Sequence, residues 1–188
     1  QNADNLIGDE SINTLKGLGG NDTIDGGAGN DTIDGGDGDD LILGSFGNDI
    51  ITGGDGKDIL SYQQLNSSIT VLTNGLIKKE SDGSTDIRTD FSIEKVIGNQ
   101  NYINTIDASE GFTASLDVDL SSNTITINNI PVIGNASLDI DNFNNVIGSQ
   151  NADNLIGDES INTLKGLGGN DTIDGGAGND TIDGGDGD

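Results

Sequence analysis

The sequence predicts an all-β fold, a parallel β-roll or β-helix solenoid with eighteen residues per coil in its nine-residue repeats. Five consecutive nonapeptides stay in frame from Gly17 to Ser61, and each carries a branched aliphatic residue two positions after an aspartate. No stretch shows the period of an amphipathic helix, and each glycine inside a helix would cost about 1 kcal/mol. We expect wider or irregular coils to continue the solenoid outside the nonapeptides.

Each nonapeptide combines a turn with a short strand. Glycine at the first, second and fourth positions permits the backbone conformations of a tight turn. Two nonapeptides therefore complete one coil, and alternate loops fall on opposite edges of the roll, about 4.8 Å from the next loop of the same edge. The first edge is predicted to carry Asp4, Asp22, Asp40 and Asp58, and the second edge Asn13, Asp31 and Asp49.

The aliphatic residues of the repeats divide into two faces, because side chains alternate along a strand. One set is predicted to face outward, where other copies carry threonine, and such an apolar surface is typical of lateral contact with another chain. This outward set is Leu41, Leu43, Ile50 and Ile59. The inward set, which we predict to form the core, is Ile24, Ile33, Ile42, Ile51 and Leu60.

A longer repeat contains the nonapeptides. Residues 1–39 read the same as residues 150–188, a spacing of 149 residues, which suggests a piece of a longer tandem array. Alternating runs between the two copies predict further strands: SITVLT from Ser68, SLDVDL from Ser115 and NTITI from Asn123.

Charge and composition exclude several classes of function. Asp and Glu outnumber Lys and Arg by 33 to 7, a formal net charge of −26, so nucleic acid and anionic lipid are not expected partners. The chain has no Cys and no His, the usual zinc ligands, and no apolar run of the ~18 residues that a membrane span needs. Such a composition is also typical of a disordered acidic linker, but the regular order of the residues argues against that alternative.

The stacked aspartates indicate a site for a divalent cation. Carboxylates on one edge repel each other, and the carbonyls of the glycine loops point into the same gaps. Two carboxylates with several carbonyl oxygens suit calcium, which takes 6 to 8 oxygen ligands at about 2.4 Å. Magnesium fits less well because it demands octahedral geometry and keeps its waters. The alternative is ordinary turn chemistry, since Asp and Asn favour tight turns without any metal.

The nonapeptide pattern resembles that of the RTX (repeats-in-toxin) family, G-G-x-G-x-D-x-(large aliphatic)-x. The resemblance implies that each calcium ion lies between a loop and the loop eighteen residues on. The implied sites lie between Asp22 and Asp40, between Asp40 and Asp58, and between Asp31 and Asp49. The implied carbonyl ligands are Gly26, Gly27, Ala28 and Gly29 around Asp31, and Gly35, Gly36, Asp37 and Gly38 around Asp40.

Several positions depart from the family pattern. Leu18 and Ser45 each replace a glycine, and Asn13 replaces the aspartate, which weakens the predicted site between Asn13 and Asp31. The sequence does not decide whether calcium binds between the loops of Asp4 and Asp22. The remaining predicted ligands are Asp4 on the first edge and, in the second copy, Asp153, Asp171 and Asp180.

The calcium pattern divides the chain into four predicted regions. Ile103 stands where the parallel stretch carries Asp153, so no calcium is expected there. The side chains of Asn99, Asn101 and Asn104 are expected to satisfy that turn by hydrogen bonds. The regions are a calcium-binding roll over 1–61, β spacer blocks without calcium over 62–106 and 107–147, and the start of the next roll over 148–188.

The sequence does not predict an enzyme. All nonapeptide aspartates are equivalent, so none is distinguished as acid or base, and no lysine follows the glycine loops as in a phosphate-binding loop. We expect a calcium-binding structural repeat of a secreted, self-associating surface fibre, S-layer-like protein or adhesin, which folds on meeting extracellular calcium. The alternative is a secretion and folding module accessory to a toxin, protease or lipase domain.

Overall fold

The computed structural model describes residues 2–89, 91–110, 114–130 and 134–187. These residues form twenty β-strands and no helix, so the predicted all-β class is confirmed, and within them no helix of membrane-spanning length and hydrophobicity occurs. In chain order the strands are β1 (Asn5–Ile7), β2 (Thr14–Lys16), β3 (Thr23–Asp25), β4 (Thr32–Asp37), β5 (Leu41–Leu43), β6 (Ile50–Asp55), β7 (Ile59–Ser61), β8 (Ile69–Leu72), β9 (Leu76–Lys79), β10 (Thr85–Arg88), β11 (Lys95–Ile97), β12 (Thr105–Asp107), β13 (Ser115–Asp119), β14 (Thr124–Ile130), β15 (Gly134–Asp141), β16 (Asn145–Ile147), β17 (Asn154–Ile156), β18 (Thr163–Lys165), β19 (Thr172–Asp174) and β20 (Thr181–Asp183).

The nonapeptide strands of the first compact unit form a parallel roll. This unit comprises Gln1–Ile69 and Gly75–Tyr102. Strands β1, β3, β5, β7 and β11 lie side by side in one sheet, and β2, β4, β6, β10 and β9 in the other. Thr23 pairs with Leu41, and Thr32 pairs with Ile50. Each pairing spans eighteen residues, which confirms the predicted coil.

A column of aliphatic side chains fills the nonapeptide coils, as predicted. Ile24, Ile42 and Leu60 of one sheet are fully buried, and Ile33 and Ile51 of the other are each 1% exposed. Burying one such side chain contributes about 1.5–3 kcal/mol. The predicted outward set lies on the opposite face: Leu41, Leu43 and Ile59 are half-buried and Ile50 is exposed.

The turns between these strands depend on left-handed backbone. In the third nonapeptide, Gly36 and Gly38 have φ angles of 105° and 131°, which side chains with a Cβ rarely adopt. Leu18, at the position equivalent to Gly36, adopts φ 68° despite its side chain. A non-glycine residue there costs about 1–2 kcal/mol, so the glycine pattern reflects a backbone requirement.

Wider coils complete the first unit. Ile50 pairs in parallel with Ile87, 37 residues on, and Ile59 with Lys95, 36 residues on. The extra residues include an antiparallel pair of strands, β9 and β10, in which Thr85 lies opposite Lys78. The predicted widening is therefore confirmed, and an antiparallel hairpin accounts for part of it.

The second unit, Thr70–Asn74 with Ile103–Asp188, repeats this organisation. Its eighteen-residue pairings include Asn154 with Thr172 and Thr163 with Thr181. One sheet also contains β13, β14 and β15 as an antiparallel meander, whose β13 pairs in parallel with β17 over 37 residues. The three predicted runs correspond to β8, β13 and β14.

Candidate calcium-binding edges

The aspartates of each edge form a hydrogen-bonded ladder. On the first edge the Asp22 backbone N–H donates to Asp40 Oδ1 at 2.7 Å, and the Asp40 N–H donates to Asp58 Oδ1 at 2.8 Å. On the second edge the Asp31 N–H donates to Asp49 Oδ1 at 2.9 Å. One carboxylate oxygen of each residue therefore accepts a backbone hydrogen bond from the preceding coil. The order of the aspartates along both edges is the predicted one.

Most of these carboxylates leave their second oxygen without a donor in the described chain, and Asp49 is the exception because its Oδ2 lies 3.6 Å from the Lys79 ammonium. Within the described residues, no hydrogen-bond donor reaches Oδ2 of Asp22, Asp31, Asp40, Asp58 or Asp171. The first four residues are at most 2% exposed, so water does not solvate these oxygens freely. A buried carboxylate without a partner is costly, and it is stabilised by a cation or by a proton.

A loop carbonyl lies beside several of these oxygens. Gly35 O and Asp22 Oδ2 both lie against the α-carbon of Gly17, in the space that a Cβ would fill. One coil further on, Gly53 O and Asp40 Oδ2 lie in the same way against Gly35. The first glycine of the nonapeptide is therefore required for space, because a side chain there would displace the oxygens.

The other predicted carbonyls lie along the same edges. Gly36 O and Gly38 O lie against the α-carbons of the equivalent glycines one coil on, and Asp37 O accepts the Gly20 N–H at 2.8 Å. Gly27 and Gly29 have φ angles of 82° and 122° and form the turn that precedes Asp31. Ala28 lies between them in the same turn. Ligation of calcium by the carbonyls of residues 26–29 and 35–38 stays a prediction.

The oxygen set of the edges fits calcium. Nowhere in the described ranges do three or more Asp, Glu, His or Cys residues meet in a group suited to a metal ion. The edges instead offer carboxylates one coil apart, and loop carbonyls supply the remaining oxygens. Calcium accepts carbonyl ligands in flexible geometry, whereas zinc prefers nitrogen and sulfur ligands.

Burial and like charge raise the pKa of three edge carboxylates, those of Asp40, Asp49 and Asp58. Burial raises the pKa of Asp58 to about 6, and the charges of Asp40 and Glu94 act in the same direction. Burial also raises the pKa of Asp40 and of Asp49. Without a cation, the edges therefore hold their negative charge at a cost in free energy.

The comparison with known families agrees with this geometry. A family model described as the RTX calcium-binding nonapeptide repeat (4 copies) matches residues 7–42, 34–64 and 156–188, just under half of the chain. The chain carries RTX calcium-binding repeats. Calcium is thus the ion of these loops, in agreement with the oxygen set. No curated protein matches the chain.

Two acidic residues beyond the RTX frame, which are absent from the predicted ligands, extend the ladders. The Asp49 N–H donates to Asp86 Oδ1 at 3.0 Å, and the Asp58 N–H donates to Glu94 Oε2 at 2.7 Å. Glu94 precedes the buried Val96 by two residues, as each nonapeptide aspartate precedes its core aliphatic. That spacing was a usable signal for Glu94, whereas Asp86 precedes Arg88 and gave none.

The predicted ligands of the second copy also join ladders. The Asp153 N–H donates to Asp171 Oδ1 at 2.9 Å, and the Asn162 N–H donates to Asp180 Oδ1 at 3.0 Å. Asp153 differs from the other edge aspartates because its Oδ2 accepts the Ser149 N–H at 2.6 Å. On the first edge of the first copy, the Asp4 N–H donates to Asp22 Oδ1 at 2.7 Å.

Asparagine side chains form hydrogen bonds with backbone groups in the loops that lack an aspartate. Asn13 Oδ1 accepts the Asp9 N–H of its own loop at 2.8 Å. Asn99 Oδ1 accepts the Asn101 N–H at 2.9 Å, and Asn104 Nδ2 donates to Asn142 O at 2.7 Å. These bonds agree with the prediction that asparagines serve these turns by hydrogen bonding.

A second, outer ladder follows the fifth position of the RTX repeats. Asn30 Oδ1 accepts the Asn48 N–H at 2.9 Å, and Asn48 Oδ1 accepts the Thr85 N–H at 2.8 Å. On the first edge Asp39 Oδ1 accepts the Lys57 N–H at 2.9 Å. The recurrence of Asn or Asp just before the edge aspartate was the sequence signal for this ladder.

Proposed function

We propose that this chain is a structural element that folds when calcium ions bind between successive RTX loops. The observation that carries the proposal is the row of buried Oδ2 atoms that find no donor in the described part of the chain. The carboxylates that would hold the ions are Asp22, Asp40 and Asp58 with Glu94 on the first edge, Asp31 and Asp49 on the second, and Asp153, Asp171 and Asp180 in the second copy.

Calcium binding would contribute directly to folding. The chain has a formal net charge of −26, and its edges stack like charges one coil apart. An ion that binds only the folded edges adds RT ln(1 + [Ca]/Kd) to stability, about 2.7 kcal/mol per site at a hundred times the Kd. The metal-free chain would thus stay open where calcium is scarce and fold where it is abundant.

A calcium titration of the chelated protein, followed by far-UV circular dichroism, tests the proposal. The expected result is a disordered spectrum that changes to β-structure with calcium, while equal concentrations of magnesium have little effect. A β-spectrum that is indifferent to the chelator would overturn the proposal, because the aspartates would then serve only as turn residues.

A matched pair of variants tests whether the calcium-dependent folding transition depends on the edge aspartates. Asp40→Asn removes a carboxylate shared by two gaps, so we expect fewer bound calcium ions and a higher calcium midpoint. Asp55→Asn is the control, because Asp55 is exposed and contributes its backbone carbonyl to the Gly38 N–H, which the substitution keeps. Equal calcium midpoints for both variants would contradict the assignment of Asp40.

Calcium binding is assigned to the two stretches of nonapeptides. Residues 62–106 and 107–147 form spacers in this proposal, although the first spacer lends Asp86 and Glu94 to the ends of the two edges. The asparagine-lined turn at 99–104 supports the assignment, because Asn99 forms a hydrogen bond within the turn and Asn104 donates to Asn142 O. Calcium counting on variants of the spacer carboxylates Asp107 and Asp139 would show no lost ion.

The wider role that we infer is that of a secreted, self-associating surface fibre or coat. The support is the identical sequence of residues 1–39 and 150–188, since stacked repeats set the length of a rod. The outward apolar residues support lateral contact, and Ile50 is 43% exposed. Outside the cell, calcium would be available to fold each repeat.

Sedimentation in calcium tests self-association. The expected result is concentration-dependent assembly that the double variant Leu41→Thr and Ile50→Thr weakens, since threonine already occupies equivalent sites at Thr23 and Thr32. The control is the double variant Thr23→Ser and Thr32→Ser, which leaves the apolar residues in place. A wild-type chain that stays monomeric at high concentration would exclude the lateral contact.

A further inference from the structure

One gap at the end of the second edge differs from the gaps to which calcium is assigned above. It lies between the loop of Asp49 and the loop of Asp86, where the Asp49 N–H donates to Asp86 Oδ1. The corresponding gap of the first edge, between Asp58 and Glu94, keeps a buried Oδ2 of Asp58 that no donor in the described residues satisfies. Asp49 Oδ2, by contrast, lies 3.6 Å from the Lys79 ammonium and 3.5 Å from Ser45 Oγ.

The surroundings of the Lys79 ammonium consist of oxygen atoms of the kind that calcium takes. Lys79 Nζ donates to Asp86 Oδ1 at 2.5 Å, to Ser45 O at 2.7 Å and to Gly47 O at 2.5 Å. Two carboxylates and two loop carbonyls thus surround one cation. Ser45 and Gly47 are the second and fourth residues of an RTX loop, in the half of the nonapeptide that is predicted to supply carbonyl ligands.

The chain buries this lysine completely. The side chains of Lys79 and Asp86 are fully buried, and that of Asp49 is 1% exposed. Lysine is almost never buried unless it is paired, so the burial of Lys79 depends on the oxygen atoms that surround its ammonium. The hairpin of β9 and β10 holds Lys79 there, since its N–H donates to Ser84 O at 2.9 Å, while the preceding Lys78 is exposed.

We propose that the Lys79 ammonium takes the place of a calcium ion between the loops of Asp49 and Asp86. This inference rests on the proposed function, because it treats the gap as one of a series of calcium sites. The tethered cation neutralises part of the charge of two carboxylates without any ion from solution. The second edge thus ends in a gap that needs no calcium, whereas the first edge ends in one that does.

Removing the ammonium while leaving space should convert the gap into a calcium site. Lys79→Ser leaves the two carboxylates and the two carbonyls in place, and Lys78→Ser is the matched control on the same strand. We expect native mass spectrometry in calcium to find one more bound ion in Lys79→Ser than in wild type, and no change in Lys78→Ser. An unchanged count in a folded Lys79→Ser variant would overturn the proposal.

Tyr62 reports on this gap directly. It is fully buried, and its hydroxyl donates to Asp86 Oδ2 at 2.5 Å. The chain has 2 Tyr and no Trp, so terbium, an oxygen-binding substitute for calcium, would be sensitised by few side chains. We expect Lys79→Ser to raise tyrosine-sensitised terbium emission, and Tyr62→Phe to abolish the increase. An increase that survives Tyr62→Phe would place the new ion elsewhere and overturn the proposal.

A variant that keeps Lys79 decides the question if Lys79→Ser does not fold. Asp86→Asn preserves an oxygen for the Asp49 N–H, and the calcium count should equal that of wild type because no ion occupies this gap. The loss of one ion in Asp86→Asn would show that calcium is bound there in place of the lysine. A wild-type chain that binds no calcium at all would instead overturn the proposed function.

Discussion

At the scale of single residues, each edge aspartate divides its two oxygens between different partners. In Asp40, Oδ1 accepts the Asp22 N–H, while Oδ2 lies beside Gly53 O with no hydrogen-bond donor in the described chain. Asparagine lacks the charge that the second of these functions requires. The Oδ1 of Asn13 instead accepts the Asp9 N–H of its own loop.

The first glycine of the nonapeptide gives a prediction at this scale. Gly35→Ala would place a Cβ against Asp40 Oδ2 and Gly53 O, so we expect the loss of that calcium site and about 1–3 kcal/mol of stability. Calorimetry in calcium measures this loss, and a Gly35→Ala variant with the calcium count and stability of wild type would contradict the steric argument.

The raised pKa of Asp58 gives a second prediction at this scale. Its folded pKa of about 6 lies above its ordinary value of 3.8. The stabilising contribution of this group is therefore complete below pH 3.8 and is lost as the pH rises through about 6. In chelator, acidification from neutrality to about pH 5 should increase β-structure.

The same acidification should have the opposite effect in calcium, since protons compete with the ion for the carboxylate oxygens. Circular dichroism over a pH series, with chelator and at subsaturating calcium, measures both slopes. Two slopes of the same sign would show that the edge carboxylates do not govern the transition.

At the scale of the elements, the stability of a strand depends on its neighbours in the stack. Ile33 of β4 lies in register with Leu15 of β2 and Ile51 of β6, and it is 1% exposed. Ile50 of β6 lies in register with Thr32 of β4 and Ile87 of β10 but points to the outer face, and it is 43% exposed. Neighbouring strands thus bury the inner face of a strand and leave the outer face accessible.

Alanine substitutions test this dependence on stacking. Ile33→Ala should cost about 2–5 kcal/mol, because it opens a cavity between two coils. Ile50→Ala should cost less than about 1 kcal/mol, because its side chain lies on the outer face and is 43% exposed. Denaturant unfolding in calcium gives both values, and a similar loss for the two variants would exclude the argument.

At the scale of the whole molecule, the charge of −26 acts both on the surface and at buried sites. Salt screens exposed carboxylates at a Debye length of about 3 Å at 1 M, but it screens buried groups much less. The Oδ2 atoms that have no donor in the described residues are buried groups, because the residues that carry them in the first copy are nearly inaccessible to solvent.

Monovalent salt should therefore not replace calcium. We expect the chelated chain in about 1 M sodium chloride to remain largely without β-structure, since screening does not supply a ligand to the buried oxygens. Circular dichroism of the same sample after calcium addition provides the positive control. Full folding in salt alone would mean that general repulsion, and not the edge sites, keeps the metal-free chain open.

The sequence by itself determined the features that repeat. The nonapeptide frame predicted the coil, the two edges, the aliphatic core and calcium as the ion, because each follows from residues at constant spacing. It also predicted that the coils widen between residues 61 and 148. Those predictions concern local geometry, in which one coil meets an almost identical neighbour.

Only the tertiary structure showed which residues lie at the ends of the two edges, where the nonapeptide repeats stop. Asp86 and Glu94 continue the ladders from 37 and 36 residues away, and the hairpin of β9 and β10 brings Lys79 against Asp49. Glu94 has a local signal in its spacing to Val96. The contacts of Asp86 and Lys79 depend on chain segments distant in sequence, so no local spacing encodes them.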